Sequence, residues 1–238
     1  MILKAEGISK SYKGRVIIND INLTFKVKEI SGILGPNGAG KTTLFSILAG
    51  IVIPDSGNVY INDKNITKYK IYQRSRKGIV YLPQDSSIFR GLNVEDNIKA
   101  ILEISKQKNK IDDQLNELLE RFVITHIRKS RAQSLSGGER RKVEIARAIA
   151  TNPKFLLLDE PFAGIDPISI NEITNIINGL KNSGLGIIIT DHNARETLKI
   201  IDKGYIVANG KILAEGSANE ILESELTKKL YLGSTFKL

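Results

Sequence analysis

Residues 30–50 read ISGILGPNGAGKTTLFSILAG, and three local signals are packed into them. ISGIL has the length and apolar content of a buried strand, and TLFSILAG that of a helix. Between them stands GPNGAGKT at 35–42, a full match to G-x-x-x-x-G-K-[ST] in the strand-to-helix setting that a phosphate loop requires. Glycines let such a backbone curl until successive amide N–H groups point at phosphate oxygens. The helix that follows adds its positive N-terminal end. On this reading Lys41 reaches the β- and γ-phosphates of ATP and the Thr42 hydroxyl binds Mg²⁺. A chance glycine turn is the competing explanation, and the flanking strand and helix weigh against it.

Working outward, the first 30 residues alternate in strand fashion (ILKAEGISKSY, then VIINDINLTFKV), which predicts an antiparallel sheet. GNVYINDKNI predicts a further short strand pair. From about Val94 to Arg131 apolar residues recur at helix spacing, in NVEDNIKAILEI and LNELLERFVI, and predict a helical subdomain. Beyond it strands and helices alternate: KFLLLDE, a helix from about Ile168, GLGIIITDH, a helix through Ala194–Ile200, then GYIVANGKILAEG. That alternation predicts a parallel sheet with helices on its faces. The expected organisation is one α/β domain over 1–238, with a nucleotide-binding core (1–93 and 132–238) and a helical insertion at about 94–131.

KFLLLDEP at 154–161 is an apolar strand ending in two acids. Strand side chains alternate, so Asp159 and Glu160 should point to opposite sides. Asp159 is assigned to magnesium and Glu160 to the attacking water as general base. His192 follows another apolar strand, GIIIT, at what should be the same sheet edge, where ligands of such sheets sit. His126, in the helical region without a partner motif, is read as structural.

LSGGERRKVEIARAIA begins at Leu135. Ser136 and Glu139 have capping-box spacing, and the helix behind them has apolar positions at Val143, Ala146, Ile149 and Ala150. Gly137 and Gly138 leave the first-turn amides bare, which suits an anion. A plain helix cap is the alternative, although glycine weakens a helix start.

The whole composition sets outer limits. With no cysteine in 238 residues, a disulfide framework and thiol catalysis are excluded, which fits a reducing cytosol. No signal-peptide pattern opens the chain and no run approaches the roughly 18 apolar residues of a membrane helix. Any membrane span is expected to belong to a partner. Lys plus Arg exceed Asp plus Glu by 35 to 26, giving +9. That balance suits phosphates, nucleic acid or an anionic leaflet, and equally a solvated lysine-rich surface. No block of like charge or RNP-type motif marks a nucleic-acid face, so no nucleic-acid partner is expected.

A phosphate loop, a glutamine at a strand end, LSGGE, an apolar strand ending in Asp-Glu and a downstream histidine, in that order, resemble the ATP-binding cassette (ABC) family over essentially the whole chain. The resemblance implies an ABC-type P-loop fold with ATP and Mg²⁺ as ligands. It further implies that Tyr12 stacks on adenine and that Gly35, Pro36, Asn37, Gly38, Ala39, Gly40, Lys41, Thr42 and Thr43 hold the phosphates. Gln84 would sense the metal and γ-phosphate, Asp166 would line a subunit seam, and His192 would be the switch histidine. Two copies would pack head to tail as a homodimer, so that Ser136, Gly137, Gly138 and Glu139 of one cap the ATP of the other.

YLPQDSSIFRGLNV at 81–94 sets an isolated Phe89-Arg90 pair in polar loop just beyond Gln84. In ABC transporters this neighbourhood receives a coupling helix of the membrane subunit, so Phe89 would be an apolar anchor and Arg90 a partner for a carboxylate or helix C-terminus. Phe89 tucked into its own domain is the alternative. YLPQDSSIFR, LSGGERRKVEIARA, DEPFAGIDPISI, SGLGIIITDHNARETL and the terminal YLGSTFKL together are most similar to the ATPase subunits of bacterial lipopolysaccharide exporters. The chain departs from that branch at Ser234-Thr235, where an acidic residue is expected after Gly233, which puts a charge contact of the tail in doubt. The branch implies a peripheral position on the cytoplasmic face of the inner membrane, two permease partners and membrane contact through them alone. A branched-chain amino-acid importer ATPase shares the core motifs and is the alternative. A soluble ABC ATPase acting on ribosomes or DNA usually needs two cassettes or a coiled-coil insertion, and a non-ABC P-loop kinase leaves LSGGE and His192 unexplained.

Overall fold

The computed structural model describes residues 1–104, 110–224, 227, 228 and 231. The ending after Tyr231, with its Ser234-Thr235 departure, lies outside the described residues. Two sheets organise the chain. Strands β1 (Ile2–Tyr12), β2 (Arg15–Lys26), β4 (Ser56–Ile61) and β5 (Lys64–Asn65) form an antiparallel sheet in the order β2-β1-β4-β5. The other sheet has six strands in the order β10-β9-β3-β8-β7-β6. They are β3 (Ile30–Leu34), β6 (Ile79–Leu82), β7 (Phe155–Asp159), β8 (Gly186–Thr190), β9 (Lys203–Ala208) and β10 (Lys211–Gly216). All its pairs are parallel except β9 with β10.

Every residue of β3, β7 and β8 is buried, which is why these strands read as unbroken apolar runs rather than as alternating ones. Their alternation reappears in three dimensions. Phe155, Leu157 and Ile188 pack toward helix α1 (Lys41–Ala49) and the antiparallel sheet. Leu156, Leu158, Ile187 and Ile189 pack on the other face, against α3 (Val94–Ile104), α4 (Ile111–Arg121), α5 (Gly137–Ile149), α6 (Pro167–Asn182) and α7 (Ala194–Leu198). The expected layering is therefore modified: on one face the cover is α1 together with a second sheet. A short helix α8 (Ala218–Glu223), capped by Ser217 and Glu220, closes the described order.

Helix α2 (Ile71–Ser75) was not foreseen, and it carries a fully buried charge. Arg74 donates to the carbonyls of Ile47 (2.6 Å) and Leu48 (2.7 Å) at the end of α1, and to those of Tyr69 (3.1 Å) and Thr67 (3.0 Å). One guanidinium thus supplies donors to four carbonyls, two at the end of α1 and two just before α2, of which that of Ile47 also accepts from the Gly50 amide (3.2 Å). Gly50, the αL cap of α1 at φ 80°, permits the approach, because a Cβ there would lie 2.6 Å from the Tyr69 carbonyl and 2.8 Å from Arg74 Nε. The far end of the phosphate-loop helix is fixed in this way.

Candidate functional site

The phosphate loop leaves β3 at its carboxyl end and opens α1. Gly35 sits at φ 152°, and a Cβ on it would come within 2.0 Å of the Val207 carbonyl oxygen, so no other residue fits. Gly38 and Gly40 also take positive φ, and Ala39 is buried between them. Lys41 Nζ folds back onto the carbonyls of Gly35 (2.7 Å) and Pro36 (3.0 Å), leaving the side chain 8% exposed. Burial lowers its pKa, while Glu160, Asp159 and Asp191 pull the other way. Pro36, Asn37, Gly38 and Thr42 face outward, and Thr43 is half-buried. Tyr12, 45% exposed, ends β1 in the hairpin whose second strand brings the Ile17 carbonyl to within 3.0 Å of a Cβ built on Gly40.

The two acids part as expected, by a different device. Strand β7 ends at Asp159, and Glu160 leaves it in the left-handed region at φ 45°, its amide donating to the Thr190 carbonyl (2.8 Å). Strand alternation alone does not separate them. A backbone conformation uncommon for glutamate does. Gln84 Nε2 donates to Glu160 Oε2 at 2.7 Å, and His192 Nδ1 lies 3.2 Å from the same oxygen. Asp159 is buried, with Oδ1 accepting from the Thr190 hydroxyl (2.5 Å) and Oδ2 from the Tyr81 hydroxyl (3.0 Å). Burial, and then the Asp159 carboxylate, push the Tyr81 hydroxyl pKa up. Asp191, fully buried behind His192, accepts from the amides of Asn193 (2.7 Å) and Phe162 (3.4 Å). Burial raises its pKa against those amides and His192.

Ser136 caps α5: Glu139 N donates to its hydroxyl (3.3 Å) and Ser136 N to Glu139 Oε2 (2.9 Å). Hydrogen bonding from the Ser136 amide, and then from its side chain, holds the Glu139 carboxyl below its ordinary pKa. Gly138 is needed for packing, since a Cβ would lie 2.2 Å from the Ser169 hydroxyl of α6. Asp166 caps α6 by accepting from Ile168 N (3.1 Å) and Ser169 N (3.0 Å), bonds to Ser169 that lower its pKa. Ser136, Gly137 and Asp166 are exposed. The contacts of this motif are with α6 and the turn before it, not with the phosphate loop of the same chain. The structure thus brings Gln84, Glu160 and His192 together and leaves Ser136 and Gly137 of LSGGE exposed. His126 is exposed in a short 3₁₀ turn.

One face of α5 carries residues that the apolar pattern hid. Arg141 donates to the carbonyls of Pro83 (3.1 Å) and Asp159 (3.0 Å) and to Glu144 Oε2 (3.2 Å). Glu144 Oε1 accepts from the Ser86 hydroxyl (2.7 Å) and the Ser87 amide (2.9 Å). Arg147 donates to the Ser87 carbonyl (2.8 Å) and lies 4.4 Å from the Phe89 ring centroid. From the other side the buried Asn97 holds both the amide (2.9 Å) and the carbonyl (3.0 Å) of Phe89. Ile88 is buried, whereas Phe89 stays 46% exposed and Arg90 is exposed. The loop after Gln84 is therefore fixed by helices on both sides, with Phe89 half in water. Spacing of i, i+3 and i+6 among Arg141, Glu144 and Arg147 was the legible signal for this face. Glu144→Ala should raise amide exchange over 83–89 about ten- to a hundredfold, because bonds to a buried charge are worth about 1.5–3 kcal/mol. Exchange mass spectrometry showing unchanged protection would mean that Glu144 does not hold the loop.

The donor set suits ATP with a divalent cation. A backbone cradle that only glycine can form, a lysine at its centre, an outward threonine at the first turn and a buried carboxylate at the adjacent strand end match the chemistry of that pair. Among the described residues no group of three or more His, Cys, Asp or Glu gathers to hold a metal by itself, and no helix is long and apolar enough to cross a membrane. Comparison with known proteins agrees with this chemistry. The family model described as ABC transporter matches residues 18–163. The chain is 53% identical over 99% of both chains to the lipopolysaccharide export system ATP-binding protein LptB of Escherichia coli K12. It is 52% identical to the protein of that name from Haemophilus influenzae, over 100% of this chain and 99% of the other. Among solved structures, the ADP conformation of MJ1267, an ATP-binding cassette of an ABC transporter, superposes with a TM-score of 0.88 at 30% identity, covering 98% of this chain and 99% of that one.

Proposed function

The chain belongs to the ABC transporter family, and from that premise we propose that it is the ATP-hydrolysing subunit of a lipopolysaccharide exporter. It is an ATPase. The observation that carries the chemistry is the convergence of Gln84 and His192 on one oxygen of Glu160 beside a complete phosphate loop. Identity above half over the full length to the export ATPases supports the cargo.

In the proposed cycle the amides of residues 35–43 and Lys41 bind the phosphates, with Tyr12 against the adenine. Thr42, Gln84 and Asp159 would hold Mg²⁺, which neutralises charge on the β- and γ-phosphate oxygens when bound. Glu160 takes a proton from water as its oxygen bonds to the γ-phosphorus. The bond from that phosphorus to the bridging oxygen breaks, and ADP and phosphate leave. His192 steadies Glu160 and the γ-phosphate. The LSGGE motif, with Ser136 and Gly137 exposed, is completed by a second copy, whose ATP it caps, with Asp166 along the seam. ATP favours the closed homodimer because only that state offers both sets of contacts. Within the chain, 1–93 and 132–238 act as the nucleotide-binding core and about 94–131 as a helical subdomain between nucleotide and partner.

The partners are two inner-membrane permease subunits, contacted from the cytoplasmic face through Phe89 and Arg90, so lipopolysaccharide itself does not touch this chain. Gentle detergent extraction of the tagged protein from its own cells, followed by mass spectrometry, is expected to recover the lipopolysaccharide-export permease pair. Recovery of amino-acid permeases instead would overturn the export reading and leave the ATP chemistry standing. Phe89→Ala should keep nucleotide binding and lose most of the co-purified permease. An undiminished complex would show that the half-exposed ring serves only its own packing against Arg147.

A further inference from the structure

Asp159, assigned above to the metal, has a neighbour with no role so far. Alternation along the strands puts Tyr81, Asp159 and Thr190 on the side of the sheet that faces α1, following Ile79, Leu157 and Ile188. Asp159 and Thr190 are register partners, and Tyr81 pairs with Leu157 one strand over. Three side chains from three adjacent strands therefore meet at the carboxyl edge. The Thr190 hydroxyl donates to one carboxylate oxygen of Asp159 and the Tyr81 hydroxyl to the other. The Tyr81 ring is held edge-on by Phe45 of α1, with centroids 6.4 Å apart and planes at 68°.

Packing explains the ring but not the hydroxyl. A phenylalanine would fill the same space against Phe45, whereas the oxygen donates only to Asp159. A carboxylate offers about four lone-pair sites, so one donor on each oxygen fixes its plane and leaves lone pairs for a cation's water shell. We propose that Tyr81 is a positioning residue of the divalent-cation site: with Thr190 it clamps the Asp159 carboxylate in the orientation that receives the metal. This rests on the metal assignment of Asp159. It also gives the strand that leads into Gln84 a direct hold on the cation site, three residues before the glutamine.

Mn²⁺ serves as the probe, titrated into the full chain with the non-hydrolysable analogue AMP-PNP and read by electron paramagnetic resonance. Binding of AMP-PNP without metal is measured in parallel by calorimetry. Partners that orient metal-binding carboxylates are commonly worth about 10–100-fold in metal affinity. Tyr81→Phe is expected to weaken Mn²⁺ about tenfold and to leave metal-free nucleotide affinity unchanged, and Thr190→Val to act in the same direction. Should Tyr81→Phe not fold, Thr190→Val alone reads the same quantity. Equal Mn²⁺ affinity in variant and parent overturns the inference, as does a matching loss of metal-free AMP-PNP affinity, which would mark general collapse of the site. If the parent itself holds no Mn²⁺ with AMP-PNP, the metal assignment of Asp159 fails, an outcome distinct from failure of the clamp.

Discussion

Glu160→Gln is expected to bind ATP with undiminished affinity and to hydrolyse it about a hundred to ten thousand times more slowly, the usual worth of a general base. The change keeps volume and shape. Its remaining oxygen can still accept from Gln84 Nε2, now 2.7 Å from the carboxylate, so the loop after β6 should stay in place. What is lost is the basic oxygen on which Gln84 and His192 converge. The left-handed backbone at residue 160 is unaffected, since glutamine meets the same steric terms there. With binding intact and hydrolysis blocked, ATP holds both phosphate-loop and LSGGE contacts, and closed dimers accumulate. Phosphate release and light scattering read the two effects separately. Turnover at the parental rate would move the base elsewhere.

Arg74→Met should be the most damaging single change to stability away from the site. The guanidinium is fully buried and its described partners are carbonyls, not carboxylates. Burial lowers its pKa to about 10, so it remains charged at neutral pH. Its charge is balanced by peptide dipoles, including the negative end of α1. Methionine would fill much of the volume and leave the carbonyls of Leu48, Thr67 and Tyr69 without the donor that Arg74 gives them, while that of Ile47 keeps the Gly50 amide. A loss of about 3–5 kcal/mol is expected, since each buried acceptor left without a donor costs about 1–3 kcal/mol. For a chain of this size that is a fall in Tm of roughly 6–20 °C. Lysine should rescue little, because a point charge cannot span the four oxygens a planar fork reaches. A Tm shifted by less than about 2 °C would mean that water or a rearranged loop satisfies those carbonyls.

What the sequence revealed and what it hid follow from range. The phosphate loop, the capping box at Ser136 and the buried strands are local patterns in which a residue's neighbours along the chain decide its conformation. That Glu160 and His192 share a sheet edge was legible because each follows an apolar strand, whereas the place of Gln84 beside them came from the family resemblance. Helix α2 escaped because five residues carry too little periodicity, and Arg74 in it because a lone arginine ordinarily marks a surface. Arg141, Glu144 and Arg147 were passed over for the apolar residues between them, since their partners lie some 60 positions away at 83–89. Tyr81 had no motif around it to single it out. Only the lateral order β6-β7-β8 brings its hydroxyl to Asp159, and lateral order is not written in any one strand.

On the proposed function, ATP hydrolysis by this chain draws lipopolysaccharide out of the inner membrane. The most direct measurement depletes the protein from its own cells, restores either the parent or Glu160→Gln, and follows pulse-labelled lipopolysaccharide between separated inner and outer membranes. Label is expected to pile up in the inner membrane on depletion, the parent to restore its transfer, and Glu160→Gln not to. Label reaching the outer membrane at the normal rate in depleted cells would contradict that function.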